Sequence, residues 1–302
     1  MDSAADATAI TRLAAEHNLD VDPETITVNE LGLDFRVAIV DAVDGQRWVL
    51  RIPRRAEVMT RAQVEGRVLQ RIAPRLSVDV PDWRIHTETL IAYPLLPGEP
   101  GLTLEPDGTP VWHFDEHSPV FSDSLGTMLA QLHSLDPETV DDTGITALTP
   151  GEHRESIREN IARVAAEFAI APSLHDRWLS WLADDSYWPE RSVLTHGEIY
   201  PAHLLLDGET ILGVLDWTTA SIGDPAQDFA FHRASVSDAA FETTVSRYVA
   251  AGGHVGPRFG DHCTEVFSLS PVTYALFALT TEDPEHRAAA AAQLHPEEGT
   301  HP

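Results

Sequence analysis

Glu198, His203 and Asp216 lie in the stretch LTHGEIYPAHLLLDGETILGVLDW, a carboxylate, an imidazole and a second carboxylate close together in the chain. Two apolar runs, HLLLDG and ETILGVLDW, meet at Asp207-Gly208, a dipeptide that signals a hairpin turn. A hairpin of this size returns Asp216 to the side of His203. Three such groups suit transfer of a phosphoryl group. One carboxylate orients and deprotonates an attacking hydroxyl, and the other ligands hold a divalent cation that neutralises phosphate charge. Imidazole is a reasonable ligand, although Mg²⁺ prefers oxygen and a nitrogen donor favours softer ions such as Mn²⁺. Taken singly the residues say little, since a lone His203 is more often a packed or surface histidine. Their joint spacing is the signal.

The rest of the chain must position these groups. Residues 4–17 are predicted to form a helix, and TITVNEL, FRVAIVDA and RWVLRIP then read as strands, the last two joined by a turn at Asp44-Gly45. Helical spacing returns over 56–73, with Val58, Ala62, Leu69 and Ile72 near one face. DWRIHTE and TLIAYPLL are strand-like, and the Pro/Gly-rich PLLPGEPG reads as a hinge near residues 94–101. Beyond it the pattern is mostly helical: 118–134, 153–169, 172–184, 225–235, 238–251 and 271–280. Asp224-Pro225 and Ser270-Pro271 each place a capping side chain before a proline at the first helical position. The expectation is an α+β chain of two lobes: a strand-rich N-terminal lobe over 1–97 and a helical C-terminal lobe over 98–302, with a ligand cleft between them.

Composition narrows the partners. Among 302 residues, 48 acidic against 20 basic side chains give a net charge of −28. Such a surface repels nucleic acid and anionic membrane while attracting cations. A single cysteine, Cys263, excludes a disulfide framework and a cysteine-rich metal site. MDSAADATAI has no basic or apolar signal region, and the longest uncharged run, Val266 to Thr281, is short and broken by Pro271. A soluble, cytoplasmic protein is expected.

The spacing of acid, His203 and Asp216 matches the catalytic-loop Asp, the Asn five residues later and the Asp of the next hairpin in protein kinases, with Glu and His substituted. LTHGEIYPAHLLLDGETILGVLDWTTASIGDPAQDFAFH resembles the aminoglycoside phosphotransferase and choline kinase-like superfamily, and within it the macrolide 2′-phosphotransferases, which carry His at the metal position. The likeness extends to GLDFRVAIV, GQRWVLRIPRR, LIAYPLLPG and SLGTMLAQLHSLD, over roughly residues 28 to 280.

The resemblance implies a bilobal protein kinase-like fold and an enzyme that moves the γ-phosphate of GTP, or ATP, with Mg²⁺ to the 2′-hydroxyl of a macrolide amino sugar. It places Asp216 and His203 on the metal, Glu198 at the catalytic-base position and His196 in support of the catalytic loop. Arg51 stands where protein kinases carry Lys, with Glu65 placed to pair with it, and Asp228 braces the loop from the following helix. Tyr93 and Leu95, on either side of Pro94, are the nucleotide contacts expected in the hinge, and Pro94 removes one backbone donor there. The apolar stripe Tyr274, Phe277 and Ala278 is the expected seat of a greasy substrate, or else an ordinary core face. No partner chain is expected, so the protein is read as a monomer. Glu198 departs from the usual Asp, which leaves open a re-spaced base, a slow enzyme and a nucleotide-binding pseudokinase. A kinase for another hydroxylated amine, such as an aminoglycoside or choline, is the other alternative.

Overall fold

The computed structural model describes residues 3–295 apart from Leu31, Leu33, Pro106 and Glu282, with side chains from Asp6 onward. In chain order come α1 (Ser3–Glu16), β1 (Thr27–Asn29), β2 (Phe35–Asp41), β3 (Arg47–Pro53), α2 (Val58–Ile72), β4 (Ile85–His86), β5 (Ile91–Pro94), β6 (Glu99–Pro100), β7 (Leu102–Leu104) and β8 (Pro110–Trp112). There follow α3 (Pro119–His133), β9 (Thr146–Ala147), α4 (Pro150–Ala165), α5 (Pro172–Ala183), β10 (Val193–Thr195), β11 (Leu204–Asp207), β12 (Thr210–Val214) and β13 (Ser221–Gly223). The chain continues through α6 (Ala230–Ser235), α7 (Asp238–Ala250), α8 (Phe259–Ser268), α9 (Ser270–Thr281) and α10 (Pro284–Leu294).

These elements pack as two compact units. The first runs to Phe114 and takes in Glu138–Ile145 and Pro201–Thr219. It is built on a five-stranded antiparallel sheet ordered β1-β2-β3-β5-β4. Strand alternation gives the sheet two apolar faces. One face packs Ala38, Val40, Leu50 and Ala92 with Ile10 and Ala14 of α1. The other packs Phe35, Val49, Ile91 and Tyr93 with Val58, Met59 and Ala62 of α2. The predicted face of α2 is the buried one: Val58, Ala62, Leu69 and Ile72 are all in the core. Gly66 on that helix has a steric reason, because a Cβ there would come within 2.9 Å of the Trp83 ring. The hairpin β11–β12 also belongs to this unit and pairs through β11 with β6. Leu31 and Leu33, in the LGLDFR turn, lie outside the described residues.

The second unit comprises Asp115–Pro137, Thr146–Tyr200 and the chain from Ala220 onward. One core of this unit joins α4, α5, α9 and α10 through Ile161, Val164, Trp178, Leu182, Ala275, Ala278 and Leu294. Helix α3 lies close on α7 at Gly126, where a Cβ would stand 2.6 Å from the Thr244 carbonyl oxygen. The short sheet β10-β13-β9 carries the loop that follows β10.

Local expectations fail at a few places for visible reasons. Asp224 does cap, accepting the Ala226 N–H at 2.9 Å, but the turn it starts is a 3₁₀ segment over Pro225–Asp228 that gives way to α6. Ser270 does not cap from outside; it is the first residue of α9, and its hydroxyl donates to the Phe267 carbonyl at 2.6 Å. Helices α8 and α10 were not anticipated, and α4 starts earlier than expected, at a capping box of Thr149 and Glu152. Among the described residues no helix is long and apolar enough to cross a membrane.

Candidate active site

In the first unit the hairpin does what its turn signal predicts. Leu204 pairs with Val214, and the Leu215 N–H donates to the His203 carbonyl at 2.8 Å, so the ends of the two strands stay in register. His203 Nε2 and Asp216 Oδ2 stand 3.8 Å apart. Asp216 has φ +59°, a left-handed conformation uncommon for a side chain other than glycine. Such conformations persist where surroundings enforce them, and they concentrate at functional sites. Trp217 is one such enforcement: its ring is buried and its Nε1 donates to the Val214 carbonyl at 3.0 Å.

Asp216 connects inward. The Thr218 hydroxyl donates to Asp216 Oδ1 at 2.6 Å and lies 3.1 Å from Glu65 Oε2. Glu65 Oε1 accepts from Arg51 Nη1 at 2.8 Å. Both members of this ion pair are buried, with side chains 9% and 0% exposed. The Arg51 guanidinium also lies over the Phe35 ring, 4.2 Å from its centroid. Burial alone would lower the Arg51 pKa; the Glu65 carboxylate overrides it and raises it, so the cation is secured. Burial lifts the Glu65 carboxyl above the ordinary range, with Arg51 pulling against that rise. The pairing expected of Arg51 and Glu65 is therefore present.

Tyr93 is buried among the residues between the sheet and α2, and burial pushes its phenol up to about 12. The Leu95 N–H donates to the Arg47 carbonyl at 2.8 Å. Between them these residues tie the chain near 94 to β3.

In the second unit the loop after β10 is held through its backbone. Asp228 accepts the His196 N–H at 2.9 Å on Oδ2 and the Gly197 N–H at 2.6 Å on Oδ1. Gly197 has φ +86°, which a side chain there would resist. His196 is fully buried, and its Nδ1 accepts the Glu198 N–H at 3.2 Å. Behind Asp228 stands His133 of α3, with Nε2 at 3.0 Å from Asp228 Oδ2 and Nδ1 at 2.9 Å from the Tyr248 hydroxyl. A carboxylate only accepts, so Nε2 donates to Asp228 and Nδ1 accepts from Tyr248. Burial pushes the Tyr248 phenol up to about 12, which keeps that donor protonated.

Glu198 itself is exposed. Tyr200, two residues on, has its phenol raised by burial and by the Glu198 charge. An aromatic row starts there: Tyr200 meets Phe231 edge-on at 4.8 Å, and Phe231 meets Phe267 at 6.3 Å. Phe267 is 39% exposed. The stripe singled out on α9 is differently placed. Ala278 is buried in the helical core, and Tyr274 bonds His286 of α10 at 2.8 Å. Phe277 stacks on Tyr274 and meets the same His286 ring at 5.1 Å. That face of α9 is packed against α10.

Sequence reasoning missed Thr218, His133, Tyr248 and the aromatic row. The first two left faint signals: a hydroxyl two residues after Asp216, and one imidazole in the apolar run SLGTMLAQLHSL.

The residues fit a divalent cation. Ligand atoms on one ion at about 2.0–2.2 Å can lie up to about 4.3 Å apart. The 3.8 Å between His203 Nε2 and Asp216 Oδ2 falls inside that limit and is too long for a hydrogen bond.

Known proteins resemble this chain over nearly its whole length. The profile of the phosphotransferase enzyme family matches residues 25–264. The crystal structure of macrolide 2′-phosphotransferase MphH from Brachybacterium faecium, an apoenzyme, is 54% identical, covers 98% of this chain and 99% of its own, and superposes with a TM-score of 0.93. A macrolide 2′-phosphotransferase type I structure is 42% identical over 97% of this chain and 98% of its own, with a TM-score of 0.91. The uncharacterized protein YcbJ of Bacillus subtilis (strain 168) is 37% identical over 284 residues, 92% of each chain. The α+β, bilobal protein kinase-like fold and this likeness over nearly the whole length agree: the chain belongs to the phosphotransferase enzyme family and, within it, to the macrolide 2′-phosphotransferases.

Proposed function

We propose that this protein is an antibiotic-resistance kinase that transfers the γ-phosphate of GTP to the 2′-hydroxyl of a macrolide amino sugar. The observation that carries the reading is the Asp216–His203 pair, with Asp216 linked through Thr218 to the buried Glu65–Arg51 ion pair. Glu198 accepts a proton from the attacking hydroxyl; a carboxylate one methylene longer than Asp retains that capacity. His196 and Asp228 hold the loop that presents it. Arg51, kept charged by Glu65, offers a fixed cation to the phosphates. Asp216 and His203 are the residues that would hold Mg²⁺, and a bound divalent ion neutralises phosphate charge during transfer.

Tyr93 and Leu95 line the nucleotide side near a hinge at 94–101, which joins an N-terminal lobe over 1–97 to a C-terminal lobe over 98–302. Pro94, lacking an N–H, removes one backbone donor from that segment. The macrolide ring rests on the partly exposed row of Tyr200, Phe231 and Phe267. The α9 stripe of Tyr274, Phe277 and Ala278, turned toward α10, supports that helix. The net charge of −28 favours the ammonium of an amino sugar. The enzyme works as a cytoplasmic monomer.

The test is turnover with a panel of macrolides, aminoglycosides and choline, using GTP and ATP in parallel, with the product located by mass and ³¹P spectra. A 2′-phosphomacrolide formed faster with GTP is expected. Nucleotide binding with no transfer to any acceptor would establish a pseudokinase, and transfer only to aminoglycosides or choline would replace the substrate.

A further inference from the structure

We propose that Thr218 is a positioning residue that sets the Asp216 carboxylate and the Arg51–Glu65 ion pair as one unit, by sharing its single hydroxyl proton between two carboxylates. The inference rests on the reading of Asp216 as a metal ligand and goes beyond it.

The geometry is specific. At 2.6 Å the bond to Asp216 Oδ1 is in the range of a short, charge-assisted O–H···O⁻ contact, so the proton belongs chiefly to Asp216. Glu65 Oε2, at 3.1 Å, takes the remaining share as a three-centre bond. The Asp216 bond is local, two residues along the chain, and a turn motif alone would explain it. The Glu65 contact is not local: it spans 153 positions and reaches a side chain with no exposure.

The consequence concerns which oxygen is held. Asp216 is 43% exposed at its side chain, so apolar packing does not select its rotamer. Thr218 takes Oδ1, and Oδ2 is the oxygen that faces His203 Nε2 at 3.8 Å. A hydroxyl at position 218 therefore orients the ligand atom and also lies against the carboxylate that secures Arg51. Hydrogen-bond partners of metal ligands act in this way, and their loss lowers metal affinity by about 10–100-fold.

The experiment titrates Mn²⁺ into the full-length protein with a non-hydrolysable guanine or adenine nucleoside triphosphate, whichever binds more tightly. Free Mn²⁺ is followed by its paramagnetic resonance signal, a readout independent of any macrolide. Thr218→Val keeps shape and removes the hydroxyl, and Thr218→Ala repeats the test should valine not fold. Thr218→Ser keeps the hydroxyl, and Asp216→Asn is the control. The expected result is Mn²⁺ binding roughly 10–100-fold weaker in Thr218→Val, near wild type in Thr218→Ser, and lost in Asp216→Asn. Normal binding in Thr218→Val, with loss in Asp216→Asn, overturns the role of Thr218 and leaves the metal reading standing. Equal weakening in the serine and valine variants also overturns it, because packing and not the hydroxyl would then matter. Normal binding in Asp216→Asn overturns the metal reading itself.

Discussion

The two units bury polarity in different ways. In the first, charge is buried as charge: Arg51 and Glu65 form an ion pair 2.8 Å long, and Thr218 ties it to Asp216. In the second, four buried imidazoles, His133, His196, His232 and His262, are each hydrogen-bonded, two of them to the buried carboxylates of Asp228 and Asp224. The first arrangement fixes the side chains that the proposed function sets on phosphate and metal, where permanent charge is useful. The second fixes a backbone, the N–H groups of His196 and Gly197 on Asp228, in the loop where Glu198 is exposed. The difference teaches where each unit is vulnerable: the first to loss of a charged partner, the second, through His232, to acid.

The largest effect is expected at Glu198. Glu198→Gln lowers kcat by about 10²–10⁴-fold, while the melting temperature stays put because the side chain is exposed. Glu198→Asp sharpens this: it is slower than wild type if the loop has adapted to the longer side chain, and faster if Glu is a degraded Asp. Destabilisation comparable to that of a core mutant would break the contrast between the units.

Next comes Glu65→Gln, which leaves the Arg51 cation buried without its counter-ion. Breaking a buried pair costs about 3–5 kcal/mol of stability, read from urea unfolding. A cost near zero would show that the pair is solvated in solution.

Acid should act on the second unit. Burial, helped by the nearby His117, depresses His232 from 6.5 to about 4. A base depressed on folding is neutral in the native state, so its contribution is complete above 6.5 and lost as pH falls toward 4. That shift corresponds to at most about 3 kcal/mol spread across the window. Unfolding free energy measured from pH 7 to 4 should slope downward, and His232→Phe should flatten the slope; an unchanged slope sinks the assignment.

The smallest effect is expected at His133. His133→Leu can bridge neither Tyr248 nor Asp228, and should cost about 1–3 kcal/mol of stability. A kcat loss well below that of Glu198→Gln should accompany it, since His133 acts through Asp228.

Much of this was legible along the chain. The alternation of β2 and β3, the apolar face of α2 and the Asp207-Gly208 turn are local patterns, and the structure contains each of them. The spacing of His203 and Asp216 was enough to predict their approach, because a hairpin converts sequence distance into proximity by a fixed rule. The identity of Arg51 and Glu65 as partners was readable only through resemblance, since 14 residues and a change from strand to helix separate them.

Other features were settled only by packing. Nothing local says that Thr218 meets Glu65, or that His133 stands behind Asp228 across 95 positions. The stripe on α9 was ambiguous for the same reason: helical periodicity marks a face as apolar but does not name what covers it, and here α10 does. Residue types, their period and their short-range turns determined the elements and the chemistry on offer. Long-range burial decided which side chains share a proton, because desolvation rewards a buried polar group for pairing with a partner wherever in the chain that partner lies.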